Sequence, residues 1–89
     1  MDKKHVKELA EAIAAIRETS FAESFLHNIL TPSELEEISK RLQIVKLLHK
    51  GVPQREVAER LGVSMGTVSR GSRELKYGEG AFIKLLEMK

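Results

Sequence analysis

Cysteine is absent from the 89 residues, which excludes disulfides and thiolate metal sites. Tryptophan is absent too. Tyr occurs once and Phe three times, so a core has to be assembled from Leu, Ile, Val and Ala. No stretch of about 20 apolar residues occurs, the length a helix needs to cross a bilayer. Behind Met1-Asp2-Lys3-Lys4-His5 the chain turns amphipathic, with Glu8 and Glu11 where a signal peptide needs an uninterrupted apolar segment. The expected location is therefore the cytoplasm. His5, His27 and His49 lie far apart and match no metal-ligand spacing. There is no nucleophile–base constellation and no glycine loop that could cradle a phosphate. Neither a metal, a catalytic residue nor a catalytic cofactor is expected.

What is present fits one domain, 1–89. A core of this size is marginal, because a small chain buries little of its surface, and pairing of two copies is one remedy. The net charge is only +2, but it is unevenly spread. Residues 1–39 hold four Lys and Arg against eight Asp and Glu, whereas residues 40–76 hold nine against three. A basic segment of this kind is the footprint of a polyanion binder. A solvated basic helix face would look the same.

The apolar residues recur at helical spacing and never alternate as in a strand. Val6, Leu9, Ala10, Ile13 and Ile16 form a stripe over residues 4–18, which Thr19-Ser20 interrupts. Phe21, Phe25, Leu26, Ile29 and Leu30 make a second, unusually apolar helix that has to be buried or lie in an interface. Thr31-Pro32-Ser33-Glu34 reads as a helix start, with Thr31 as cap, Pro32 at the first helical position and Glu34 closing a capping box. The helix it opens places Leu35, Ile38, Leu42, Val45 and Leu48 on one face, and Gly51 and Pro53 end it. Two short helices follow, at about 53–61 and 64–76. Tyr77-Gly78-Glu79-Gly80 breaks the chain before a last helix with Phe82, Ile83, Leu85 and Leu86. The expected fold is all-α, with five to six helices and no sheet.

Within 54–76 the residues fit a helix-turn-helix position by position. Val57 and Leu61 face inward from the first helix, and Ala58 is small where two helices must approach. Gly62 permits a positive φ at the turn, Ser64 can cap the second helix, and Val68 anchors it. Met65, Gly66, Thr67, Ser69, Arg70 and Arg73 remain on the outer face. Such a helix can enter a major groove with its N-terminal residues at the base edges. An ordinary helical hairpin would account for the apolar positions, but it does not require the Ala58–Gly62 pair, the basic outer face or the Gln54-Arg55 start. A helical dimer whose basic face docks an acidic protein is a further alternative. Its binding would lack the steep salt dependence and sequence preference of a DNA complex.

At Leu30-Thr31-Pro32, Arg41, Ile44-Val45, Gln54-Arg55-Glu56, Leu61-Gly62 and Arg70-Gly71-Ser72 the chain resembles the bacterial tryptophan-repressor family. This family is itself one of those from which the docking geometry of helix-turn-helix proteins is known. The resemblance implies an intertwined homodimer whose helix-turn-helix units read a palindromic double-stranded operator, with L-tryptophan as regulatory ligand and tryptophan genes repressed. Carried onto this chain, it makes Arg41 and Arg70 the two faces of an indole slot, as stacking guanidinium planes suit. Thr31 of the other subunit, with Arg70, holds the ligand carboxylate, and carbonyls near Asn28 and Leu30 of that subunit accept from its ammonium. Thr67 and Gly71 line the pocket, where a side chain at Gly71 could block a flat ligand. Arg55, Met65, Gly66, Thr67 and Ser69 fall where the family meets bases or bound water, as water-mediated readout in this family shows. Gln54 and Lys76 fall on backbone-contact positions, and Arg70 and Thr67 could also serve as plain phosphate or base contacts.

The chain departs from the family's pattern in several places. The turn before Gln54 is shorter and contains Pro53, Ala58 stands where the family has a lysine, and Glu74 replaces a small polar residue near the ligand. The N-terminal arm is short. Tyr77-Gly78-Glu79-Gly80 is similar to a second group of Trp-repressor-like proteins that need not sense tryptophan. A regulator of that kind is the alternative to a tryptophan-gated repressor.

Overall fold

The computed structural model describes residues 1–88, and these form six helices and no strand. They are α1 (Lys3–Ala15), α2 (Thr19–Ile29), α3 (Pro32–His49), α4 (Gln54–Leu61), α5 (Met65–Tyr77) and α6 (Ala81–Leu86). The chain divides into two compact units, Met1–Leu35 and Glu36 onward. α3 begins in the first and continues through the second.

In the first unit, Asp2 caps α1 by accepting from the Lys4 N–H at 2.8 Å. The helix stops at Ala15, earlier than the apolar stripe suggests, because Ile16 turns to an extended conformation. Thr19 and Ser20, read from sequence as an interruption, are instead the opening residues of α2. Glu18 stands at the cap position, and its carboxylate accepts a hydrogen bond from the Ser20 hydroxyl. The expected capping box at the head of α3 is formed. Glu34 N–H donates to Thr31 Oγ1 at 3.1 Å, and Thr31 N–H donates to Glu34 Oε1 at 2.9 Å. No residue of α1 or α2 is buried. Ile13 is 52% exposed and Phe21 60%, so the apolar faces of both helices lie open within one chain.

The second unit holds the core. Ile44, Val57 and Val68 are fully buried and Ala58 nearly so, with Leu47, Leu48, Val52, Leu61 and Val63 packed against them. Val57, Ala58 and Val68 occupy the inward positions expected of a helix-turn-helix. On α3 the inward residues are Ile44 and Val45, while Ile38 and Leu42 of the expected stripe are 42% and 36% exposed. A stripe at spacing three and four locates one face of the helix, but which part of that face is covered depends on the partner elements.

The turn between α4 and α5 needs a glycine. Gly62 has φ +63 and ψ +39, and its N–H closes onto the Ala58 carbonyl. This left-handed conformation strains any residue with a Cβ. α5 is capped by Ser64, whose hydroxyl accepts from the Thr67 N–H at 3.1 Å.

Candidate nucleic-acid interface and ligand hollow

The outer surface of α5 is polar and open. Met65, Gly66, Thr67, Ser69, Arg70 and Arg73 are all exposed, because Val68, Gly71 and Ser72 take the buried side of the helix. α4 presents Arg55 exposed and Gln54 half-buried at its N-terminal end, and Lys76 is exposed in the last turn of α5. Two hydrogen bonds qualify the roles expected from sequence. Ser69 Oγ donates to Gln54 Oε1 at 3.1 Å, joining α5 to the start of α4. Thr67 Oγ1 is hydrogen-bonded to Ser64 Oγ at 2.9 Å. Both hydroxyls are thus engaged within the motif, and Gln54 is oriented by a partner fifteen residues away, a link that periodicity cannot reveal.

Behind α5 lies a concave hollow of about 850 Å³ within the second unit. α3 contributes Glu37, Lys40, Arg41 and Ile44, and α5 contributes Gly66, Thr67, Arg70, Gly71 and Glu74. Val63 and Ser64 of the turn and Phe82 of α6 complete the lining. Four residues expected to line a ligand slot from this part of the chain, Arg41, Thr67, Arg70 and Gly71, are therefore brought together. Asn28, Leu30 and Thr31 belong to the first unit. Asn28 and Thr31 are exposed there and Leu30 is half-buried, and its N–H donates to the Leu26 carbonyl at 3.0 Å.

The charges of the hollow are partly matched. The Arg41 guanidinium donates to Glu37 Oε1 at 3.1 Å, and Lys40 lies 3.4 Å from Glu36. A guanidinium has five N–H donors, so the one bond to Glu37 does not exhaust those of Arg41. Gly71 has a structural reason that the sequence did not disclose. It is buried, and a Cβ at this position would lie 2.7 Å from Ile44 Cγ2. The glycine is required first by the close approach of α5 to α3, whatever ligand lies beside it. Glu37, Lys40 and Phe82 were also not anticipated as lining. Phe82 appears in the sequence as one member of a short apolar helix, and nothing local ties it to α5. Among the described residues no group of three or more His, Asp or Glu could hold a metal ion, and no helix is long and apolar enough to cross a membrane.

Fold and hollow together define a class: an all-helical helix-turn-helix protein with a charged hollow of ligand size behind its second helix. Comparison with known proteins identifies the family within that class. The family model described as Trp repressor protein matches residues 4–89, and the chain belongs to that family of regulators. A Trp operon repressor homolog from Actinobacillus succinogenes is 45% identical over 62 residues, covering 68% of this chain and 61% of the relative. One from Pasteurella multocida is 41% identical over 70 residues, covering 73% and 69%. The chain thus spans about three fifths of the Actinobacillus protein's length. The crystal structure of a TrpR like protein from Eubacterium eligens superimposes with a TM-score of 0.89 at 28% identity, covering 97% of this chain and 89% of that one.

Proposed function

We infer that the chain is a DNA-binding transcriptional repressor that acts as a homodimer on double-stranded operator DNA, with L-tryptophan as its co-repressor. The observation that carries this reading is the shared use of α5. Its outer residues are exposed where a groove could meet them, while Thr67, Arg70 and Gly71 also line the hollow behind it. A ligand seated there touches the helix that would read DNA. It regulates only if it binds the DNA-competent position of that helix more tightly than the other; equal affinity would shift nothing. Arg41 and Arg70, on opposite walls, suit a flat aromatic group carrying a carboxylate. The open apolar faces of α1 and α2 support pairing of two copies. The cytoplasm is the location that such a regulator needs.

A second reading is favoured by Glu74, an acid on the hollow's wall: a regulator of the same build that binds DNA without sensing tryptophan. Selection from a pool of randomised duplexes, with and without L-tryptophan, tests both. Enrichment of a two-fold symmetric sequence only with tryptophan is the expected result. Enrichment regardless of tryptophan supports the second reading, and no enrichment under either condition contradicts sequence-specific DNA binding altogether.

A further inference from the structure

The bond from the Ser69 hydroxyl to Gln54 Oε1 at 3.1 Å links α5 to the first residue of α4. It fixes the polarity of both groups. A hydroxyl has one proton, and that of Ser69 is engaged by Gln54, so toward DNA Ser69 can only accept. Phosphate oxygens and the acceptors of base edges are closed to it. The Gln54 amide is left with the opposite polarity. Its oxygen is taken, and among the described residues its NH2 end, with two donors, has no partner. Arg73 belongs to the same surface. It follows Ser69 by four residues on α5, which puts the two on one face with Cβ atoms about 5–6 Å apart. Helical side chains lean toward the N-terminus, the direction of Ser69 from Arg73. Arg73 is exposed and, among the described residues, forms no ion pair. Its neighbours three and four positions away are Ser69, Arg70, Lys76 and Tyr77, so no acid on the helix is placed to match it. Two like charges beside it disfavour the helix slightly, and neither packing nor pairing within the chain accounts for the residue.

We propose that Gln54 and Arg73 form a seat for one phosphate of the DNA backbone, and that Ser69 is the positioning residue between them rather than a reader of bases. Gln54 donates from Nε2, Arg73 supplies the charge, and Ser69 holds the amide oxygen. A serine hydroxyl could satisfy either end of an amide, but a phosphate only accepts and therefore meets the end that is left here. Restricting the glutamine before DNA arrives lowers the ordering cost of binding. The proposal rests on the DNA-binding reading. It differs from what the resemblance implies, which sets Ser69 at bases or bound water and gives Arg73 no part.

Filter binding of the full chain over a salt series, to a selected operator duplex and to a random duplex, tests it. Arg73→Gln is expected to weaken both alike and to reduce the salt slope by about 1. Ser69→Ala is expected to weaken both by roughly two- to tenfold, the worth of an ordinary hydrogen bond, with the slope unchanged because no charge is lost. Ser69→Thr keeps the hydroxyl and is expected to restore binding. Gln54→Ala/Ser69→Ala is expected to bind no more weakly than Gln54→Ala alone, because Ser69 acts through Gln54. A loss confined to the operator in Ser69→Ala would make Ser69 a base reader and overturn the proposal. Additive losses in the double variant, failure of Ser69→Thr to restore binding, or a slope untouched by Arg73→Gln would overturn it too, and each leaves the DNA-binding reading standing. If wild type binds neither duplex, the DNA-binding reading fails and the seat with it.

Discussion

Arg55 and Lys76 are both exposed cations, but the roles proposed for them differ and can be separated. Arg55, exposed in the first turn of α4, is expected to make a bidentate contact to guanine, worth about 1–3 kcal/mol of discrimination. Arg55→Ala should therefore lower the preference for operator over random DNA. Lys76→Ala should weaken binding to both and reduce the salt slope by about 1. Filter binding over a salt series on both duplexes distinguishes them, and equal, sequence-blind losses from the two variants would show that the roles are misassigned. Glu34 gives a prediction in pH. The backbone N–H of Thr31, and then its hydroxyl, hold the Glu34 carboxyl below the ordinary glutamate value of 4.5. A lowered acid pKa stabilises the fold above the unfolded value, and that contribution is lost as pH falls through the lowered one. Glu34→Gln should flatten this acid limb of stability, as read by urea denaturation between neutral pH and pH about 3. An unchanged limb would mean that the capping box is not maintained in solution.

The elements were legible where a local rule decides them. The Thr31–Glu34 box, the positive φ at Gly62 and the Ser64 cap are set by residues three or four positions apart, and all were readable in advance. The start of α2 was not, because Thr19 and Ser20 serve equally well as breakers and as first-turn residues. Contacts between elements were legible only as faces. The sequence pointed to Gly71 as a flat spot for a ligand, whereas its neighbour across the helix pair is Ile44. Gly71→Ala should destabilise the fold by about 1–3 kcal/mol through overpacking. Truncating Ile44 removes the atom that a new Cβ would strike, so the double variant Gly71→Ala/Ile44→Ala should lose less stability than the two single variants together. Strict additivity in chemical denaturation would mean that α5 does not press on α3 at this point. The hollow's other walls were illegible for the same reason: Phe82 and Lys40 come from elements whose pairing with α5 no local pattern encodes.

For the whole molecule, the question is what covers the apolar residues of the first unit. Val6, Leu9, Ile13, Phe21 and Ile29 are each more than 40% exposed in the single chain, a density of open apolar surface that marks an interaction face. Sedimentation at micromolar concentration is expected to give a dimer, and a folded monomer would contradict this. Dimerisation would also bring a second copy's Asn28, Leu30 and Thr31 into play, as the resemblance implies. The coupling of ligand to DNA belongs to this scale too. It is tested most directly by titrating a selected operator duplex with protein, in the absence and in the presence of saturating L-tryptophan, for wild type and for Arg41→Leu, a residue outside the two reading helices. Wild type is expected to bind the operator more tightly when tryptophan is present, with little or no response from Arg41→Leu. Equal wild-type affinity under the two conditions would contradict the co-repressor claim, and a normal response from Arg41→Leu would contradict the arginine slot.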